Sequence, residues 1–356
     1  MRKFLTWEYL SHSFIDFSSI GFVQNTNHDY NVFTQADPVL RVRVSDATAA
    51  TVSLSIDTGA PDHYTLLMEL ACADGDTLYI PVGDALRDVY RHELDALLTA
   101  PAPLCMVCTV TAALLDSDGV EINHADMTWK VYDAVGCQRL THSAFLSCLP
   151  DRWRALAGVP NPVTVPVPVF DVEMRREYSG GAPSTTGITG TGGSQSFMVN
   201  PNNRLLVLKL AVPGESDGAT TLFDWQECGD DKMLVAWWSP ELGGWKSQCA
   251  DVVADTAEAV TRRDVYAGFG LRTGTAADWS VSLRFPMCSP RDLAYLRDLM
   301  ASGQVYVRAD VSSYASSGGS GEWVSVRVRG EVPAVPVGGQ SRNFDFEIIT
   351  NTTDEL

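Results

Sequence analysis

WSVSLRFPMCSPRDLAYLRDLMASG, residues 279–303, sets a strand directly against a helix. Val281, Leu283 and Phe285 alternate with Ser280, Ser282 and Arg284, the period of a strand with one buried face, and Pro286, which has no N–H for a ladder, is expected to stop it. A helix is predicted at once. Ser289 is placed as its N-cap and Pro290 at its first position, while Asp292 brings a carboxylate to the exposed N–H groups of the first turn. Leu293, Leu296, Leu299 and Met300 share one stripe, with Arg291, Arg297 and Asp298 off it, and the helix is expected to run to Gly303. A helix of about 13 residues is marginal alone in water, whereas burying each of those apolar side chains contributes roughly 1.5–3 kcal/mol as an upper value. Packing therefore holds it. The expected partner is a sheet of 305–311, 323–329 and 343–349, all alternating with period two.

Outward from this unit, the chain has the size and composition of a two-domain protein. Its 356 residues exceed one ordinary domain, and 45% hydrophobic with 20% charged residues is a folding composition. The expected fold is mainly β, with two β-sandwich-like domains that each carry about one packed α-helix. Residues 1–35 read as an N-terminal arm or edge segment and 36–158 as a first β domain. Residues 159–170 read as a Pro-rich linker or sheet edge, and 171–356 as a second β domain with long flexible loops.

In the first domain, 39–44 and 51–56 are expected to pair around the turn 45–50. Strands follow at 64–71 and 77–81, joined by Asp74-Gly75-Asp76. Asp84 is expected to cap a helix whose stripe is Leu86, Val89, Tyr90, Leu94, Leu97 and Leu98, stopped by Pro101 and Pro103. Residues 104–115 and 120–132 form a predicted hairpin across Asp116-Ser117-Asp118-Gly119. A short helix is expected around 151–156, ending at Gly158. Val159 to Val169 alternates proline with β-branched residues, which enforces extended backbone. Residues 179–196, almost all Gly, Ser and Thr, read as a flexible loop, and 312–321 as a second one. Strands are expected at 171–178, 204–212, 220–224, 233–238 and 245–248.

The formal charge of −18 is spread along the chain, 10 Lys+Arg against 20 Asp+Glu in residues 1–158 and 16 against 24 in 159–356. Such a surface repels phosphate backbones and anionic lipid, so neither nucleic acid nor membrane is an expected partner. No run of about 18 apolar residues marks a membrane span. The N-terminus has Arg2 and Lys3, but Glu8 and His12 interrupt the apolar stretch, so a signal peptide is not expected. The eight cysteines, inside apolar runs at irregular spacing, read as free buried thiols of a reducing compartment.

Reactive constellations fail one at a time. His92-Glu93 lacks the second histidine of a zinc-protease helix, since position 96 is Ala96. Cys105 and Cys108 have redox spacing but lie in a predicted strand that turns them to opposite faces. Asp116 and Asp118 lack the later ligands of a calcium loop. Asp230-Asp231 and Asp251/Asp255 are the chance pairs of an acid-rich chain, and no phosphate-binding loop or nucleophile elbow is present. No catalytic, cofactor or metal residue is expected, and the chain is expected not to be an enzyme.

One stretch stands out, Trp237-Trp238-Ser239-Pro240-Glu241-Leu242-Gly243-Gly244-Trp245. Three tryptophans flank a reversal, and neighbours on a strand point oppositely, so one of Trp237 and Trp238 is expected to face solvent, a subunit or a ligand. Trp237, Trp238 and Trp245 are the candidate interface or ligand-stacking residues. Exposed tryptophan anchors oligomer interfaces and also stacks on sugars.

From Met233 onward the order of features resembles distal-tail or tail-tip proteins of tailed bacteriophages and of prophages of gut bacteria. A Trp-bearing strand with a Gly-containing hairpin (Trp237 to Trp245) precedes a strand and a short helix like 293–302. Paired strands then end in an F-x-F motif, here Phe344-Asp345-Phe346. Trp237-Trp238-Ser239-Pro240-Glu241 departs from the more usual Trp-Leu-Asn-x-x-Gly. The resemblance implies a non-enzymatic virion structural protein, made in the bacterial cytoplasm, in a homo-oligomeric ring, expected hexameric, with other tail proteins as partners and no cofactor. The alternative is a carbohydrate-binding or adhesive β-sandwich protein.

Overall fold

The structure, a computed structural model, describes residues 22–24, 29–44, 47–57, 63–89, 106–137, 141, 145, 148–229, 231–253, 259–267, 271–287, 289–308, 323–332 and 342–355. In chain order the strands begin with β1 (Phe22–Gln24), β2 (Asp29–Phe33), β3 (Val39–Arg43), β4 (Ala49–Asp57), β5 (His63–Ala71) and β6 (Thr77–Pro81). Helix α1 (Gly83–Val89) precedes β7 (Met106–Leu115), β8 (Glu121–Tyr132), β9 (Arg152–Leu156), β10 (Asn161–Pro166) and β11 (Val172–Tyr178). Then come β12 (Ser184–Ile188), β13 (Ser194–Val199), β14 (Leu205–Ala211), β15 (Gly218–Gln226), β16 (Lys232–Ser239) and β17 (Gly244–Val252). The last are β18 (Ala259–Ala267), β19 (Leu271–Met287), helix α2 (Pro290–Leu296), β20 (Val305–Arg308), β21 (Val324–Gly330) and β22 (Arg342–Glu355).

The fold is mainly β and sandwich-like. A six-stranded sheet, β1-β2-β8-β7-β4-β5, faces the ribbon β3-β6. A five-stranded sheet, β12-β11-β14-β15-β9, faces a seven-stranded one, β17-β16-β20-β21-β22-β19-β18, with the ribbon β10-β13 packed against β17. The seven-stranded sheet curls until Asp251 and Val252 of β17 pair with Arg284 and Leu283 of β19.

The opening unit forms largely as its residues dictate. Ser289 caps α2 by accepting from the Asp292 N–H, and Asp292 Oδ2 accepts from the Ser289 N–H at 3.0 Å, a reciprocal capping box. Asp292 Oδ1 also accepts from the Asp151 N–H at 2.9 Å, which ties the helix start to the chain entering β9. Leu293, Leu296 and Leu299 are buried. Two details differ. The α-helix stops at Leu296 and continues as a 3-10 helix, Arg297–Ala301. Strand β19 passes through Pro286 to Met287, because Pro286 stands opposite Asn343 near the strand end, where the ladder tolerates a missing donor.

Elsewhere, alternation identified faces but not partners. Val39–Arg43 does not pair with Ala49–Asp57: β3 pairs with β6, and β4 lies between β5 and β7. Both strands turn their apolar sides into one core, Leu40 and Val42 from one layer and Val52, Leu54 and Ile56 from the other. The turn at Asp74-Gly75-Asp76 thus carries the chain between layers, with Asp76 Oδ2 accepting from the Ala73 N–H at 2.7 Å. Asp84 lies in the first turn of α1 rather than before it, and Arg87 pairs with it. The β7–β8 hairpin forms as expected, its turn closed by Asp116 Oδ1, which accepts from the N–H groups of Asp118 and Val120. The N-terminal segment supplies β1 at the sheet edge and β2 inside it, parallel to β8, with Tyr30, Val32 and Phe33 buried.

Two stretches took structures that local composition argued against. The expected helix at 151–156 is the strand β9, parallel to β15, in which Trp153 stacks on Phe223 at 5.3 Å. Tertiary packing outweighs the weak helical preference of Arg-Trp-Arg-Ala-Leu. The expected flexible loop 179–196 contains β12, paired with β11 over 184–188, and the start of β13, paired with β10. Main-chain hydrogen bonds need no apolar side chains, and the neighbours come from the chain itself: Asn31 donates to the Thr191 carbonyl and Gly190 N–H to Asp171. The Pro-rich stretch is likewise strand, with all of Asn161–Pro166 buried. The second loop, 312–321, lies outside the described residues.

Candidate functional site

Strands β16 and β17 pair antiparallel with Trp238 opposite Trp245 and Trp237 opposite Lys246. Their turn is closed by the Gly243 N–H donating to the Ser239 carbonyl at 2.7 Å. Gly243 holds φ at +66°, a left-handed conformation that glycine adopts without the penalty a side chain brings. The turn also touches the first half of the chain. Val135 N–H donates to the Pro240 carbonyl at 3.0 Å, and a Cβ at Gly243 would lie 2.6 Å from that of Ala134.

All three tryptophans are buried: Trp237 and Trp245 are 0% exposed and Trp238 is 4% exposed. This corrects the expectation that one of Trp237 and Trp238 faces outward. Trp237 and Trp238 do point to opposite faces, but the β16–β17 hairpin is covered on both. Trp238 and Trp245 point together into the core of the six-stranded sheet, edge to face at 5.5 Å, with Tyr306 against Trp245. Trp237 points the other way, into the core shared with α2 and the five-stranded sheet. Within the chain, none of the three rings offers a face for a sugar to stack on.

Beneath Trp237 lies a group that sequence reasoning missed. Lys246 Nζ is 2.9 Å from Asp298 Oδ2, and both side chains are nearly enclosed. The Trp237 Nε1–H donates to Asp298 Oδ1 at 2.7 Å. Tyr295 closes the box: Lys246 Nζ sits 4.7 Å from its ring centroid, and Trp237 and Trp153 pack edge-on against it at 5.7 and 5.0 Å. Burial, reinforced by the nearby Asp298 charge, pushes the Tyr295 hydroxyl well above its ordinary range, and that hydroxyl donates to the Ser247 carbonyl. Asp298 falls off the apolar stripe of the expected helix, yet its side chain is nearly enclosed. It sits on the 3-10 turn that follows α2, and only the pairing of Trp237 with Lys246 in the hairpin register could have shown which basic residue it meets.

A second polar cluster joins four strands. Arg154 donates to the Cys249 carbonyl, to Gln226 and to Asp251, and Lys232 Nζ lies 2.9 Å from the same Asp251. Burial alone raises the Asp251 carboxyl, but the hydrogen bonds and charges of Arg154 and Lys232 outweigh it and hold Asp251 below the usual carboxylate range.

The remaining candidates stay apart. Asp116 and Asp118 make a hairpin turn, and no cluster of His, Cys, Asp and Glu suited to a metal occurs among the described residues. Cys108 is a free buried thiol, pushed up to about 12 by burial. His92, Glu93, Cys105, Asp230 and Asp255 lie outside the described residues. No helix among the described residues is long and apolar enough to cross a membrane. No family model matches the chain, and neither does any curated protein.

Proposed function

We propose that the chain is a non-enzymatic virion structural protein, the subunit of a ring-like tail or tail-tip assembly of a bacteriophage, built in the host cytoplasm and partnered by its own copies and by other tail proteins. The observation that carries this reading is the unit on which the resemblance rests. Phe344 and Phe346 of the F-x-F strand are buried against Phe285, at 6.2 and 5.0 Å, beside the capped helix that precedes them. Trp237 serves that unit as packing, and Trp238 and Trp245 are buried in the core of the six-stranded sheet, which fits a scaffold better than a lectin.

Edge strand β5 supports self-association. It is nine residues long, it ends the six-stranded sheet, and Leu67 on it is 59% exposed beside Leu66 at 36%. Long apolar edges of this kind pair with other chains unless charge, proline or a bulge blunts them, and Glu69 is the one acidic residue on it. Light scattering at tens of micromolar tests the proposal: rings of hexameric mass are expected, and a strictly monomeric mass would count decisively against it. A glycan array, expected silent, tests the adhesive alternative.

A further inference from the structure

We propose that Lys246 and Asp298 become joined by an intramolecular amide bond that fastens the helical unit to the β16–β17 hairpin. The inference stands on the geometry of the pair and is independent of the tail-assembly reading. The two residues are 52 positions apart, yet the amine and the carboxylate are in hydrogen-bond contact at 2.9 Å inside an aromatic enclosure. The two carboxyl oxygens have different neighbours. Oδ1 receives the Trp237 indole N–H at 2.7 Å, while Oδ2 faces the amine.

That asymmetry is what amide formation requires. Oδ1 is held as the carbonyl oxygen, with a donor in place for the negative charge that develops on it. Oδ2 takes a proton from Nζ along their hydrogen bond, which leaves a free amine and a carboxylic acid. The Nζ lone pair then forms the N–Cγ bond, the second N–H proton passes to Oδ2, and the Cγ–Oδ2 bond breaks to release water. Amine plus acid gives amide plus water, with no oxidant, reductant or other reagent. An ammonium carries three donors, and among the described residues the one hydrogen bond of the Lys246 side chain goes to Asp298, its other near neighbour being the face of Tyr295. An amide nitrogen has a single N–H to satisfy, and it removes both charges from a site where desolvating them is costly.

The test is mass spectrometry on the folded full-length chain. The wild-type protein is expected one water lighter than its sequence mass. Complete trypsin digestion after unfolding is expected to leave Lys246 uncut and to give a branched peptide joining 233–262 to 298–308. Lys246→Arg, which keeps a cation beside Asp298, is expected to show the full mass, cleavage after position 246 and a free 298–308 peptide. A folded wild-type chain at full mass and cut after Lys246 overturns the proposal. So does a chain one water lighter that is cut after Lys246 and releases 298–308 as a free peptide, because that marks a cyclised aspartate without a cross-link.

Discussion

The two faces of the β16–β17 hairpin solve the same problem in different ways. On one, Trp238 and Trp245 meet Tyr306 in an apolar core that belongs mainly to the first half of the chain. On the other, Trp237 shares its space with a lysine, an aspartate and a tyrosine, in a core drawn from residue 145 onward. The apolar face adheres without direction, so it unites elements distant in sequence. The polar face specifies one register, because only Trp237 opposite Lys246 brings an indole N–H and an amine to the same carboxylate. A substitution on either face should therefore loosen a different part of the molecule.

The largest loss is expected from Trp245→Ala. Removing a fully buried indole costs about 5 kcal/mol, the upper end for large-to-small core changes, since the backbone at Trp245 is held by Thr164 Oγ1, which donates to its carbonyl at 2.7 Å, and is not free to close the cavity. Denaturant unfolding measures the loss. Hydrogen exchange should place the lost protection in β4, β7 and β8, and a loss centred on α2 would break the comparison. Asp298→Ala follows at about 3 kcal/mol, because it leaves the Lys246 charge and the Trp237 N–H buried without their partner. Its exchange signature is expected in 290–301, with the six-stranded sheet unaffected.

The sequence made the faces legible and left the neighbours hidden. The capping residues Ser289, Pro290 and Asp292, the turn at Asp116–Gly119 and the alternation of most strands all express local chemistry, and all were readable. The exchange of partners between β3 and β4 was not, because period two says which side chains are buried and is silent on whether two strands lie side by side or face each other. The Gly, Ser and Thr residues of 179–196 were misread for the opposite reason. Their order comes from main-chain pairing with β11 and β10, to which their composition contributes little. Of the candidate site, the three tryptophans were found but not their burial, since one strand cannot announce that both of its faces will be covered. Asp298 was missed because the helical pattern places it off the apolar stripe and is silent on the hairpin that brings Trp237 and Lys246 over it.

Turn contacts offer a smaller effect on the same comparison. Gly243→Ala forces a side chain into the left-handed region and against Ala134, where the hairpin meets the first half of the chain. It is expected to cost about 1–3 kcal/mol, more than Gly75→Ala, which has a similar φ of +86° but open space around it. Thermal midpoints of the two variants measure the difference. Equal shifts would mean that the Gly243–Ala134 contact contributes nothing. On the polar side, Ser289→Ala removes the side-chain acceptor of the capping box and is expected to cost about 1 kcal/mol, again with loss of protection confined to α2.

The smallest effect is expected from pH, and it tests whether the second polar cluster behaves like the first. Asp251 is held below its ordinary carboxylate range by Arg154 and Lys232, against the upward push of burial. A carboxyl depressed in the folded state adds stability that is fully present above the unfolded value and is lost as pH falls through the folded one. The wild-type chain should therefore lose stability progressively on the acid side of the unfolded aspartate range, and Asp251→Asn should flatten part of that slope. The contribution is small because the Asp251 side chain is 28% exposed and solvent screens it, unlike the nearly enclosed Asp298. Unfolding midpoints of the two proteins across the acid range decide the matter. Parallel curves would show that Arg154 and Lys232 hold Asp251 in place without stabilising its charge.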